Sequence, residues 1–124
     1  MLLDDFFKIL SSSKEDEKTK VLIELNKEHK IYEGHFPGNP VVPGVCLIQM
    51  IKETIETLQG KKLMMNAADE IKFLNIVNPL TANRLNIEIK NRINTGNPLA
   101  FAVIITDGTV TYLKMRAEYA KSSN

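Results

Sequence analysis

The chain is 124 residues long, 44% hydrophobic and 25% charged, the composition of one ordinary globular domain with a single core. Sixteen basic against fifteen acidic residues leave +1, which excludes recruitment of nucleic acid or of an anionic membrane by a strong field. One cysteine excludes an internal disulfide and a four-thiolate zinc site, and no metal or cofactor is expected. The opening MLLDDFFKIL lacks the basic start of a signal peptide, and no apolar run approaches the ~20 residues that span a bilayer, so a cytoplasmic location without a membrane segment is expected.

Residues 1–10 read as a short amphipathic piece with Leu2, Leu3, Phe6, Phe7 and Leu10 on one side. SSSKEDEK (11–18) reads as a polar link. TKVLIELNKEH alternates, with Val21, Ile23 and Leu25 on one face, and predicts a half-buried strand. A Pro/Gly loop at 35–44 comes next, then a helix over 44–59 opened by Pro43 or Gly44 and closed by Gly60. KLMMNAADEIKF predicts one long bent strand. RLNIEIKNRIN predicts another, with Leu85, Ile87, Ile89 and Ile93 on one face. LAFAVIIT is apolar on both faces, as a covered central strand should be. Asp107-Gly108 is a two-residue hairpin signal, and TVTYLKMRAEYA completes that hairpin. One long helix followed by a strand meander implies an α+β domain with an antiparallel sheet laid on the helix.

Positions 45, 48, 51, 55 and 58 form an apolar stripe along the helix, and Cys46, Leu47 and Met50 make its first half apolar on nearly every side. Such a helix start needs cover from a second subunit or a long apolar ligand. Gln49 and Glu53 lie four apart and share a face, with Glu56 nearby. Helix polars usually face water, but Gln49 sits between Ile48 and Met50 and needs a partner. His29 reads as structural, and Cys46 as buried filler rather than a reactive thiol.

Three prolines pre-bend HFPGNPVVPG, and Gly44 leaves bare N–H groups at a helix start, where developing negative charge is favoured. A base (His35), an N–H donor (Gly44) and a polar pair further along (Gln49, Glu53) suit proton abstraction beside a thioester carbonyl.

GHFPGNPVVPGV resembles the signature loop of the 3-hydroxyacyl-[acyl carrier protein] dehydratases of bacterial fatty acid synthesis. IKFLNIVNP resembles that family's stretch before a Pro turn, and AVIITDGTV its last hairpin; the likeness covers roughly residues 20–120. It implies a hot-dog fold, a long central helix wrapped by an antiparallel sheet, with residues 1–18 a divergent N-terminal segment of one domain spanning 1–124. It implies dimers with active sites at the interface and no cofactor. His35 corresponds to the family's catalytic histidine, and Gly44 to the glycine that binds the thioester carbonyl; Phe36 and Val45 flank the substrate. Lys72 matches a basic position for docking the acidic acyl carrier protein, with Lys61, Lys62 and Arg84 as helpers.

The family's catalytic Glu or Asp, fourteen residues after the histidine, falls on Gln49, while Glu53 stands where the family often has glutamine. A glutamine amide cannot deliver a proton. Three readings follow. The first is an active dehydratase that makes trans-2-enoyl thioesters, with Glu53 as a relocated acid whose pKa burial raises. The second is an impaired acyl-thioester-binding subunit that pairs with an active homologue instead of with itself. The third is a hot-dog thioesterase.

Overall fold

A computed structural model describes residues 1–34 and 38–122. Six strands form one antiparallel sheet: β1 (Phe7–Glu15), β2 (Lys18–Leu25), β3 (Leu63–Phe73), β4 (Arg84–Asn91), β5 (Ala100–Thr106) and β6 (Thr111–Lys121). A short 3-10 turn, η1 (Lys30–Glu33), precedes the Pro/Gly loop, and one α-helix, α1 (Gly44–Gln59), follows it. The sheet order is β1-β2-β4-β5-β6-β3. The helix therefore carries the chain from the β2 side of the sheet to its opposite edge, lying across the face it buries. This is the expected α+β arrangement of one long helix on an antiparallel sheet. Among the described residues no helix is long and apolar enough to cross a membrane.

Cross-strand register explains the core. Val21 lies opposite Ile87, Ile87 opposite Ile105, and Ile105 opposite Leu113, so one row of inward side chains runs across four strands. Ile89, Val103 and Met115 form the next row. All seven are buried, because period-two alternation places them on one face. β5 is interior, as its apolar character on both sides requires. Two register shifts, at Met65/Ala67 and Ala68/Glu70, bend β3 where AADE interrupts the apolar pattern.

The helix bounds follow from local chemistry. Pro43 stands at the N-cap with φ −60°, and Gly60 ends the helix in the left-handed region at φ 69°, where its N–H bonds the Glu56 carbonyl.

Four expectations need correction. SSSKEDEK is not a link: residues 11–15 continue β1, paired with β2 from Ser11↔Leu22 to Glu15↔Lys18, and the reversal occupies Asp16 and Glu17. Its serines and lysine are tolerated because β1 is an edge strand whose outer half covers no core. Ile93 lies beyond β4 and is 75% exposed, because the strand ends at Asn91. The buried residues of α1 are Cys46, Leu47, Met50, Ile51, Glu53, Thr54 and Ile55, so Ile51 and Ile55 of the expected stripe are covered while Val45 (75% exposed) and Leu58 at its ends point outward. The last hairpin holds four residues between Thr106 and Thr111; Asp107 Oδ1 accepts from the Thr109 and Val110 N–H groups, and of the pair only Gly108 takes positive φ.

β3 closes the sheet with an unpaired outer edge, and Met64, Phe73, Leu74 and Ile76 near it are exposed. We expect Ile87→Ala, in the centre of the core row, to cost about 2–5 kcal/mol in urea unfolding. Ile93→Ala should stay within about 0.5 kcal/mol. Equal costs would contradict this register.

Candidate active site

The start of α1 is shaped by a close approach. A Cβ on Gly44 would stand 2.9 Å from Cζ and 3.0 Å from Cε1 of Phe73, so the ring that ends β3 occupies the space a side chain would need. The Pro43 carbonyl takes the Cys46 and Leu47 N–H groups at 3.0 and 3.2 Å. Among the described residues the Gly44 and Val45 N–H groups have no acceptor, as the first turn of a helix leaves them. His35 and Phe36 lie outside the described residues. Cys46 is buried, and burial raises its thiol pKa, which fits a packing role. Among the described residues no three His, Cys, Asp or Glu side chains converge as metal ligands would.

Gln49 lies five residues into the helix from Gly44, or ~7.5 Å along its axis, and Glu53 one turn further. The two are joined: Gln49 Nε2 donates to Glu53 Oε2 at 2.8 Å. Gln49 thus has the partner its surroundings demanded, and its amide oxygen is turned away from Glu53. Glu53 itself is only 1% exposed. Its carboxylate is held by the N-terminal segment: the Leu2 N–H donates to Oε1 and Oε2 at 3.0 and 2.9 Å, and the Leu3 N–H to Oε1 at 2.8 Å.

The expected rise in the Glu53 pKa does not occur. Burial pushes it up, but the Leu2 N–H, the Gln49 amide and the Leu3 N–H together hold it below the ordinary glutamate value of 4.5. Glu53 is an ionised acceptor with both oxygens engaged. The Leu2 and Leu3 donors lie 51 and 50 residues away in the chain, and no sequence signal announces them. Phe73 against Gly44 was equally hidden. Glu56, the other acid of that face, accepts the Leu63 N–H at 2.8 Å and so fastens the start of β3. His29 is structural: Nδ1 accepts the Ile31 N–H and Nε2 donates to Asp5 at 3.0 Å. Lys72 is exposed and 3.6 Å from Glu70; Arg84 pairs with Glu24 at 3.0 Å.

The ApeI-like family, described as ApeI dehydratase, matches residues 11–114. The chain belongs to the ApeI-like dehydratase family. It is 34% identical over 90 residues to the 3-hydroxyacyl-[acyl-carrier-protein] dehydratase FabZ of Pediococcus pentosaceus, covering 66% of this chain and 59% of that enzyme. It is 29% identical over 110 residues to the FabZ of Ligilactobacillus salivarius, covering 81% and 76%. The chain spans little more than half of several such relatives, 54% for the Lactobacillus helveticus enzyme. Among solved structures, the dehydratase heterocomplex ApeI:P from Xenorhabdus doucetiae superposes with a TM-score of 0.72 over 90% of this chain and 96% of that one. At 18% identity that likeness speaks for the fold, which is the hot-dog fold expected from the loop motif.

Because the folded pKa of Glu53 is depressed, its contribution to stability is complete above 4.5 and fades as pH falls through the lower folded value. Glu53→Gln should therefore lose about 2 kcal/mol or more at pH 7, and should lose less of its remaining stability than the natural chain when the pH is taken below 4.5. Urea unfolding at several pH values checks both. A gain in the natural chain's stability on acidification would contradict the assignment.

Proposed function

We propose that this chain is a subunit of a dehydratase acting on 3-hydroxyacyl thioesters of acyl carrier protein. In this reading His35 takes the α-proton and the Gly44 N–H holds the thioester carbonyl as it gains enolate charge. The C–O bond to the 3-hydroxyl then breaks, the trans-2,3 double bond forms, and the hydroxyl leaves as water once an acid protonates it. In the same reading Gln49 touches that hydroxyl from α1, and Val45 and Phe36 serve the acyl chain. Gln49 offers an amide oxygen as acceptor and no proton.

The observation that carries the reading is the ligation of Glu53. An ionised carboxylate with both oxygens engaged is a poor proton donor, so the acid does not come from Glu53. Nor does Glu53 suit a thioesterase, where a carboxylate oxygen must be free to activate water. The acid therefore comes from a second hot-dog chain. Support for pairing lies in the unpaired edge of β3 and the exposed Val45, Phe73 and Ile76 near it. Support for two unlike chains lies in the ApeI:P structure, whose name is that of a heterocomplex. A homodimer of this chain binds the thioester at both sites and turns it over slowly. Lys72, exposed at the end of β3, serves the acidic carrier protein.

The test is turnover of a 3-hydroxyacyl carrier-protein thioester by the purified chain. We expect the natural chain alone to be slower than Gln49→Glu by ~10²–10⁴-fold, the range a missing general acid accounts for. Full activity of the natural chain alone would overturn the assignment of the acid to a second, unlike chain. Carrier binding should weaken with Lys72→Glu and with salt as screening shortens to ~8 Å; salt-independent binding would contradict that docking position.

A further inference from the structure

The N-terminal turn ties Glu53 to a distant part of the site. Phe6 is fully buried; its ring meets His29 edge-on, centroids 5.2 Å apart at 74°, and lies 5.8 Å from Tyr32. The backbone around it is fastened in three directions. Towards α1, the Leu2 and Leu3 N–H groups donate to Glu53. Towards the end of β2, the Asn26 N–H donates to the Phe6 carbonyl at 2.8 Å and Asn26 Nδ2 to the Asp5 carbonyl at 3.0 Å. Towards η1, Asp5 Oδ2 accepts from His29 Nε2 at 3.0 Å.

The turn also holds its own shape. Asp4 sits at φ 68°, its N–H donating to the Phe7 carbonyl at 2.6 Å, and the Phe6 N–H donates to the Leu2 carbonyl at 2.7 Å. A force applied at Leu2 is thus passed to Asp5 with little slack. The imidazole continues the chain of contacts. Its Nδ1 accepts the Ile31 N–H and caps η1, which fixes Nε2 as the protonated nitrogen facing Asp5. η1 ends at Glu33, two residues before His35.

We propose that residues 2–6 form a clamp through which Glu53 of α1 fixes η1, whose last residue stands two before His35 in the sequence. Glu53, Asp5 and His29 are then positioning residues. The role of His35 in this statement rests on the dehydratase reading; the mechanical coupling does not. Glutamine at position 53 would keep one acceptor oxygen but lose the charge, and would put an N–H₂ where the second oxygen now accepts the Leu2 N–H and the Gln49 amide. The clamp's anchor would weaken while the rest of α1 kept its packing.

Amide exchange and histidine NMR of the full chain test this without substrate, so failure of catalysis and failure of the clamp are separate results. Glu53→Gln should speed exchange at Ile31 and Tyr32 by about tenfold. Asp5→Ala, a change at an exposed carboxylate in neither α1 nor η1, should do the same, and it keeps the test decisive if Glu53→Gln fails to fold. The chain has two histidines, and the Cε1–H resonance of His35 should shift in both variants. In His29→Asn, which retains a cap for η1 but cannot reach Asp5, a further Glu53→Gln should add nothing at these probes. Unchanged Ile31 and Tyr32 exchange in Asp5→Ala, or effects of Glu53→Gln and His29→Asn that multiply, would overturn the clamp.

Discussion

A carboxylate that is 1% exposed in the middle of an apolar helix is tolerable only if its charge is answered by donors on the spot. Glu53 is answered by three: two backbone N–H groups of the N-terminal segment and the amide of Gln49. Much else follows. The N-terminal segment is drawn over the helix instead of trailing into solvent. Gln49 is turned so that its amide oxygen points away from Glu53 and one N–H is spent on the carboxylate. The acid nearest the expected reaction centre is committed to structure and held ionised.

The consequence for chemistry is a division of labour. In the proposed reading the helix start would serve a thioester enolate: among the described residues the Gly44 and Val45 N–H groups have no acceptor, and Phe73 occupies the space a side chain at position 44 would need. In that reading the proton donor for the leaving hydroxyl comes from elsewhere, since Glu53 is committed to the N-terminal segment. In the proposed reaction an amide in place of an acid at Gln49 would be a small change in volume and a large one in function, since a hydrogen bond can hold a hydroxyl without making it a good leaving group. Membership of the ApeI-like dehydratase family is what the match over residues 11–114 shows, and the Gln49–Glu53 pair is the feature on which the proposed division of labour rests.

Where the sequence was legible, the determinants were local. Pro43 and Gly60 bound α1 because cap geometry is decided within one turn of chain. Val21, Ile23 and Leu25 declare a half-buried strand because alternation needs no knowledge of the partner strand. Where it was not, the determinant lay elsewhere in the chain. SSSKEDEK carries no apolar face because an edge strand can be held mostly by backbone pairing, here to residues 18–22. The helix stripe held at Ile51 and Ile55 and failed at its ends, because Val45 and Leu58 are apolar without being covered. The ligation of Glu53 was invisible because backbone N–H groups are the same whatever the side chain, so MLLDD gives no hint of its anchor. The exchanged Gln49 and Glu53 were plain to read; which of them was free to act was not.

The most direct measurement is the ionisation of Glu53 itself, followed by the carboxyl carbon resonance of the folded chain in an acid titration. The account predicts a midpoint below the ordinary glutamate value of 4.5, moving upward when Gln49 is replaced by leucine. A midpoint near neutrality would mark Glu53 as a protonated acid ready for the leaving hydroxyl, and would contradict the account at its centre.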